Sequence, residues 1–266
     1  MKNESPLKIL TVSLGVCFVC AVLVSTTTVI LKSRQQQNQE RDKLVNILAV
    51  GGLTTDKKED LQAVFNKYVR AEIIDLKKGI PIPSDSLPEP LQPDHFDIKA
   101  VAKSRYTDTL KTHEDLAQIK QCPDFMIIYQ VIKGDSICRT IFPVYGKGLW
   151  STLYGLIALG PDLKTIEAFG FYEHGETPGL GGEVDNPRWK ALWKGKQAFD
   201  DSDSLRIEVI KGKVDTISRN ARYQVDGLTG STLTTRGVNN LVRFWLGKRG
   251  YGPYIANQRE NRKGLD

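Results

Sequence analysis

Polar and apolar positions separate sharply at the start of the chain. From Ile9 to Leu31 there are 23 residues without a charge, bounded by Lys8 and Lys32. A helix of that length, rising about 1.5 Å per residue, reaches roughly 34 Å, slightly more than a hydrocarbon core of about 30 Å. The run therefore predicts one transmembrane helix over 9–31. A cleaved signal peptide shares its basic start, apolar centre and small residues Ser25 and Thr26. The continuation through Val29, Ile30 and Leu31, with no A-x-A site, favours a span. Neither Cys17 nor Cys20 follows the small residue that a lipidated cysteine requires.

After the span come Gln-rich polar residues 33–43, then Leu44, Val45, Leu48 and Ala49 at helical spacing, halted by Gly51 and Gly52. This predicts a short juxtamembrane helix. A second helix is expected over 57–70, with Leu61, Val64, Phe65 and Tyr68 on one face, ended by Gly79 and Pro81. Five prolines within 80–96 predict a loop. The β-rich run 125–132, the Lys133-Gly134-Asp135 turn and the return over 136–142 predict a hairpin. Further strands are expected at 150–159, 164–173 and 205–210, with helices at 187–194 and 234–247. Strands and helices mix without a regular βαβ repeat, so the fold class is α+β, a single N-terminal transmembrane helix followed by a mixed α/β domain. No internal repeat is evident.

Composition supports a folded body, since 40% of the 266 residues are hydrophobic. The net charge of +6 comes from 37 basic against 31 acidic residues, with short clusters at 57–58, 77–78 and 258–263. A solvated surface accounts for that pattern, and nucleic-acid binding is not expected. In the polar body, Cys122 and Cys138 with His95, His113 and His174 show no zinc-site spacing, so no metal site is expected. Whether Cys122 and Cys138 pair is left open. Basic residues are fewer before the span (Lys2, Lys8) than after it (Lys32, Arg34, Arg41, Lys43), which by charge alone puts the body in the cytoplasm.

Three short stretches carry candidate chemistry. Asp226-Gly227-Leu228-Thr229-Gly230-Ser231-Thr232-Leu233-Thr234-Thr235 lies at the start of the last predicted helix, where free N–H groups and the helix dipole favour an anion. Ordinary caps and turns use the same residues. His174-Gly175-Glu176-Thr177-Pro178-Gly179-Leu180-Gly181-Gly182 lets backbone pass close to a flat ligand, with Glu176 and Thr177 available to its polar edge; a glycine-rich surface turn reads the same way. Gly146-Lys147-Gly148-Leu149-Trp150 offers an aromatic and an aliphatic side chain that suit a flavin face or a core. No G-x-x-x-x-G-K-[ST] or G-x-G-x-x-G occurs.

The first stretch resembles the D-x-x-[S/T]-G-[A/S]-T flavinylation motif of the covalent FMN-binding domains, with Ser231 in place of the usual Ala. The second and third resemble the E-T-P-G-L-G and G-x-G-L-W turns of the same domains, in the same order. These domains occur in the C subunit of the sodium-translocating NADH:quinone reductase and in the G subunit of the Rnf complex, and the arrangement of this chain looks closest to the former.

The resemblance implies FMN joined through its phosphate to Thr232 by a separate flavin transferase that uses FAD. Asp226 would serve that enzyme, and Gly230 and Ser231 would leave the backbone accessible to it. Leu149, Trp150, Glu176, Thr177, Leu180, Gly181, Lys213, Leu233 and Thr234 would complete the FMN site, with Lys213 at the pyrimidine edge and Arg236 near the phosphodiester. His174 is read as structural, and no residue as catalytic.

The implied protein is one member of a complex, not catalytic alone, that relays electrons between flavins while the complex oxidises NADH, reduces ubiquinone and exports sodium. Its partners would be the other membrane subunits and the transferase. The implied location is the bacterial inner membrane, single-pass, with a periplasmic flavin domain, against the charge count. The corresponding division is 1–8 cytoplasmic, 9–31 membrane, 32–120 juxtamembrane, and 121–266 flavin domain. A membrane-tethered scaffold whose loops are plain turns is the alternative from another class.

Overall fold

The computed structural model describes residues 6–53 and 60–263. Residues 1–5 of the expected N-terminal segment, 57–59 of the expected second helix and the final three positions, 264–266, lie outside them. Two units are distinct: residues 1–44, and a compact body from Val45 onward.

Helix α1 runs unbroken over Pro6–Val50, 45 residues, so the expected span and juxtamembrane helix are one element. The polar stretch 33–43 contains no glycine or proline and is rich in Gln, Arg and Lys, all good helix formers, so nothing local interrupts it. The stop is as expected. Gly52 takes φ +69°, and the N–H groups of Gly51 and Leu53 reach back to the carbonyls of Ile47 and Leu48. By length and composition α1 is the one helix among the described residues able to cross a membrane. In the body, its last turn contributes Ile47, Leu48 and Val50 to the core.

The body is organised by one antiparallel sheet of six strands. Helix α2, Leu61–Tyr68, is shorter than the expected 57–70 because the chain turns extended at Val69 and becomes β1, Val69–Asp75. No strand was expected there. Its stability comes from pairing with a strand far along the chain, which local pattern does not reveal. β2, Ile80–Ile82, and three single turns of 3₁₀ helix occupy the proline-rich segment read as a loop. Helix α3, Ile98–Val101, and the small ribbon of β3, Thr107–Thr109, with β4, Gln121–Pro123, follow.

The expected hairpin forms as β5, Phe125–Lys133, and β6, Ser136–Lys147, the second strand running five residues beyond 142. β7, Thr152–Leu159, and β8, Ile166–Glu173, match the next two expected strands and complete the order β2-β1-β5-β6-β7-β8. The sheet thus draws strands from both sides of residue 120. Helix α4 spans Pro187–Ala191, shorter than expected. The expected strand at 205–210 reduces to β9, Glu208–Val209, paired in parallel with β10, Gln224–Val225.

Helix α5, Thr232–Trp245, packs its apolar stripe of Val238, Leu241, Val242 and Trp245 into the core. Trp245 Nε1 donates to the Tyr145 carbonyl at 2.6 Å, which pins the helix to β6. The crossing is close: a Cβ on Gly237 would stand 2.5 Å from the Lys147 carbonyl oxygen. Helix α6, Gly252–Lys263, carries little apolar periodicity and was not expected. It is held from outside by Tyr254 and Ile255 in the core and by ion pairs of Arg259 and Lys263 with Asp203. The α+β class with an N-terminal apolar helix is what the chain forms. Cys122 and Cys138 are both free thiols.

Candidate functional site

Three loops meet where α5 begins. Gly230, at φ +75°, turns the chain, and the Ser231 N–H closes on the Leu228 carbonyl at 3.2 Å. Ser231 is the N-cap, yet its hydroxyl makes no cap hydrogen bond, and the first turn holds no acidic residue. Such a helix end presents backbone N–H donors and the positive end of the dipole. Thr232 is the first helical residue, two positions earlier than the expected start at 234.

The hydroxyls of this stretch differ in access. Thr234 is fully buried and donates to Glu176 Oε2 at 2.7 Å, while Thr235 is buried with its oxygen accepting from the Leu228 N–H. Ser231 is buried. Thr229 and Thr232 are exposed, and of these two Thr232 lines the cavity.

That cavity holds about 260 Å³. Leu149 and Trp150 line it from the turn after β6; Glu176, Thr177, Leu180 and Gly181 from the loop after β8; and Gly230, Ser231, Thr232 and Leu233 from the head of α5. Its apolar members stand open. Trp150 is 68% exposed, and Leu149, Leu180 and Leu233 are also exposed. Exposed aromatic and aliphatic groups around a concave site suit a flat apolar ligand, and Trp150 is not a core residue. Ligand sites usually hold roughly 300–1,000 Å³. A larger flat ligand would therefore sit partly outside.

The Glu176 carboxylate, expected at the polar edge of a ligand, lies in the cavity wall and accepts hydrogen bonds from the protein itself. Oε1 accepts from the N–H groups of Trp150 at 3.0 Å and Ser151 at 3.2 Å, and Oε2 from the Leu149 N–H at 3.3 Å and the Thr234 hydroxyl. Burial works to raise its pKa. The Thr234 hydroxyl and the amides of Trp150, Ser151 and Leu149 outweigh burial, and the net direction is downward.

His174 braces the same loop. Its Nε2 lies 2.7 Å from Asp185 Oδ2, and its Nδ1 accepts from the Glu176 N–H at 3.2 Å, an arrangement that assigns the proton to Nε2.

Asp226 and Lys213 stand outside the residues lining the cavity. Asp226 Oδ1 accepts from the Val214 N–H at 2.8 Å, and its carbonyl accepts from Trp189 Nε1 at 2.8 Å, so this side chain pins the turn that carries Lys213. Lys213 itself is exposed. Ser151 was missed by sequence reasoning. Its Oγ accepts from the Gly175 N–H at 2.7 Å, tying two of the three loops. The only local signal was a hydroxyl directly after Trp150. Among the described residues no group of His, Cys, Asp and Glu can hold a metal.

A family model described as the FMN-binding domain matches residues 148–247, which contain all three loops. The chain is 44% identical to the C subunit of the Na(+)-translocating NADH-quinone reductase of Pseudomonas aeruginosa, over 97% of this chain and 98% of that protein. It is 38% identical to the C subunit of Yersinia pestis, over 97% and 95% respectively. The crystal structure of Shewanella oneidensis NqrC superposes with a TM-score of 0.75 at 30% identity, covering 84% of this chain and 99% of that one. The corresponding C subunit from Parabacteroides distasonis, at 24% identity and a TM-score of 0.62 over 85% and 96% of the two chains, shares the fold. Matched along nearly its whole length by relatives at this identity, the chain belongs to the family of C subunits of the Na(+)-translocating NADH-quinone reductase.

Proposed function

We propose that this chain is the electron-relay member of a sodium-translocating NADH:ubiquinone reductase and carries one FMN as a phosphoester of Thr232. One observation supports the choice of residue above the others: Thr232 combines an exposed hydroxyl, a place in the cavity wall and the first position of a 14-residue helix. When bound, FMN supplies the one- and two-electron chemistry that no side chain here offers. The protein's share is placement. The N–H groups opening α5 receive the remaining phosphodiester charge, with Arg236 exposed one turn on. Trp150, Leu149, Leu180 and Leu233 offer apolar surface to the ring.

A threonine hydroxyl needs a base to attack phosphorus, and among the described residues no base is hydrogen-bonded to Thr232 Oγ1. Formation of the ester therefore belongs to an external flavin transferase. Thr232 would be the acceptor, giving up its hydroxyl proton to a base of that enzyme, and FAD would be the donor of the FMN phosphoryl group with AMP as the leaving group. In this reading Asp226 shapes the acceptor loop through the 212–214 turn rather than touching flavin.

The same reading takes 9–31 as the single membrane span, and while all the ligand-facing loops follow residue 121, the expected juxtamembrane region 32–120 contributes β1 and β2 to the sheet of the expected flavin module 121–266. The module faces the periplasm of the inner membrane, following the family resemblance over the local charge count. The other membrane subunits of the complex are its partners.

Intact mass of the full chain produced with the transferase should exceed the polypeptide by one FMN minus water, and Thr232→Ala should remove the increment. A denaturing gel under ultraviolet light should show the matching fluorescent band. Protein from its native membrane that weighs only its polypeptide would overturn the proposal and leave the tethered-scaffold reading.

A further inference from the structure

We infer that Glu176 is a positioning residue of the flavin site: its carboxylate clamps the Trp150 turn to the head of α5, so that the ring-facing wall and the Thr232 hydroxyl are held in register before any flavin arrives. The identity of the ligand rests on the FMN reading above; the clamp itself is geometry within this chain.

Glu176 is 5% exposed, and its carboxylate is committed on both oxygens. Its donors come from two segments remote from it in sequence, 149–151 and Thr234. An anion that already accepts from three backbone amides and a hydroxyl has little left to give a ligand. Toward a phosphate it would be repulsive in any case.

The seat is also fitted in space. A Cβ on Gly148 would lie 2.6 Å from Oε1, and one on Gly181 would lie 2.8 Å from Oε2 and 2.6 Å from Thr234 Oγ1. Two loops thus give up side chains where this one carboxylate sits. Ser151 repeats the tie through Gly175, and His174 holds the Glu176 N–H from behind. At 68% exposure Trp150 depends on its backbone for its place, and that backbone is tied through the amide to Glu176 and through the carbonyl to Lys147 Nζ, with Gly148 N–H closing the turn on the Ser151 carbonyl.

Glu176→Gln keeps the shape but turns one acceptor oxygen into a donor facing the Leu149 N–H or the Thr234 hydroxyl. The test is made on the full chain in detergent, first without the transferase. Amide exchange at Leu149, Trp150 and Ser151 should quicken about tenfold or more, the factor for one lost charge-assisted hydrogen bond. Thr234→Val should act in the same direction, and Thr234→Ser should restore wild-type exchange. With transferase and FAD, the rate of loading at Thr232 should fall in parallel in Glu176→Gln and Thr234→Val, while Thr234→Ser loads normally.

Wild-type exchange in a cooperatively melting Glu176→Gln, or faster exchange with undiminished loading, overturns the clamp. If Glu176→Gln does not melt cooperatively, the Thr234 pair decides by the same two criteria. A wild-type chain that stays unloaded would instead sink the FMN reading, which keeps the two failures apart.

Discussion

The Thr234 hydroxyl donates to Glu176 across 2.7 Å, bridging 58 positions of sequence. This contact joins the loop after β8 to the head of α5, and the same carboxylate reaches on to the turn after β6. Its depressed pKa has a consequence for stability. A carboxyl held below its ordinary value of 4.5 contributes stability that is fully present above that value and is lost as pH falls through the lower, folded value. Denaturant unfolding of the body should therefore show wild type losing stability below about pH 4.5, with a shallower loss in Glu176→Gln. His174 and Asp185 lie beside this loop in both chains, so the difference between the two curves isolates Glu176.

Gly181 should not tolerate a side chain. A Cβ there would meet Thr234 Oγ1 at 2.6 Å and Glu176 Oε2 at 2.8 Å, and neither neighbour is the free end of a flexible chain. Gly181→Ala should cost about 1–3 kcal/mol, the usual range for overpacking, read from the shift in the urea midpoint. Flavin loading should fall with it.

Tryptophans separate site from core. Trp245 is fully buried and bonded to the Tyr145 carbonyl, so Trp245→Ala should cost about 3–5 kcal/mol in chemical denaturation. Trp150→Ala should stay within about 0.5 kcal/mol of wild type, as exposed substitutions do. Its expected effect is on the ligand: the flavin absorbance of loaded protein should shift toward that of free FMN.

The two thiols of the body should differ in reactivity. Burial pushes the Cys122 thiol up to about 12, so almost no thiolate exists at pH 8. Cys138 is only half-buried. Alkylation of native protein at pH 8, read by mass, should modify Cys138 first and reach Cys122 only on unfolding. Equal rates would contradict the packing of β4.

Local chemistry was legible where the signal is local. An uncharged run of 23 residues must be a membrane-length helix or a signal, whatever else the chain does. The Lys133-Gly134-Asp135 turn between two β-rich runs makes a hairpin by itself. The loop ahead of an amphipathic stripe marks a helix N-terminus, and the resemblance of its residues to a flavinylation motif is what pointed to Thr232 there. By contrast, β1 exists because Val69–Asp75 finds β5, and α6 because Asp203 and the core hold it. Neither partner is visible in a local window.

The membrane-length helix, the α+β class and the three glycine-rich loops were legible in the residues alone, whereas the choice of Thr232 among the loop's hydroxyls came from the family resemblance. It took the folded chain to show that the Glu176 carboxylate accepts from the turn after β6 and from Thr234, that Asp226 and Lys213 lie outside the residues lining the cavity, and that Ser151 ties that turn to Gly175. The reason is physical. Propensity and capping act over a few residues, whereas the partner of a buried carboxylate is whichever donor the fold delivers to it, and that depends on where every strand of the sheet has gone.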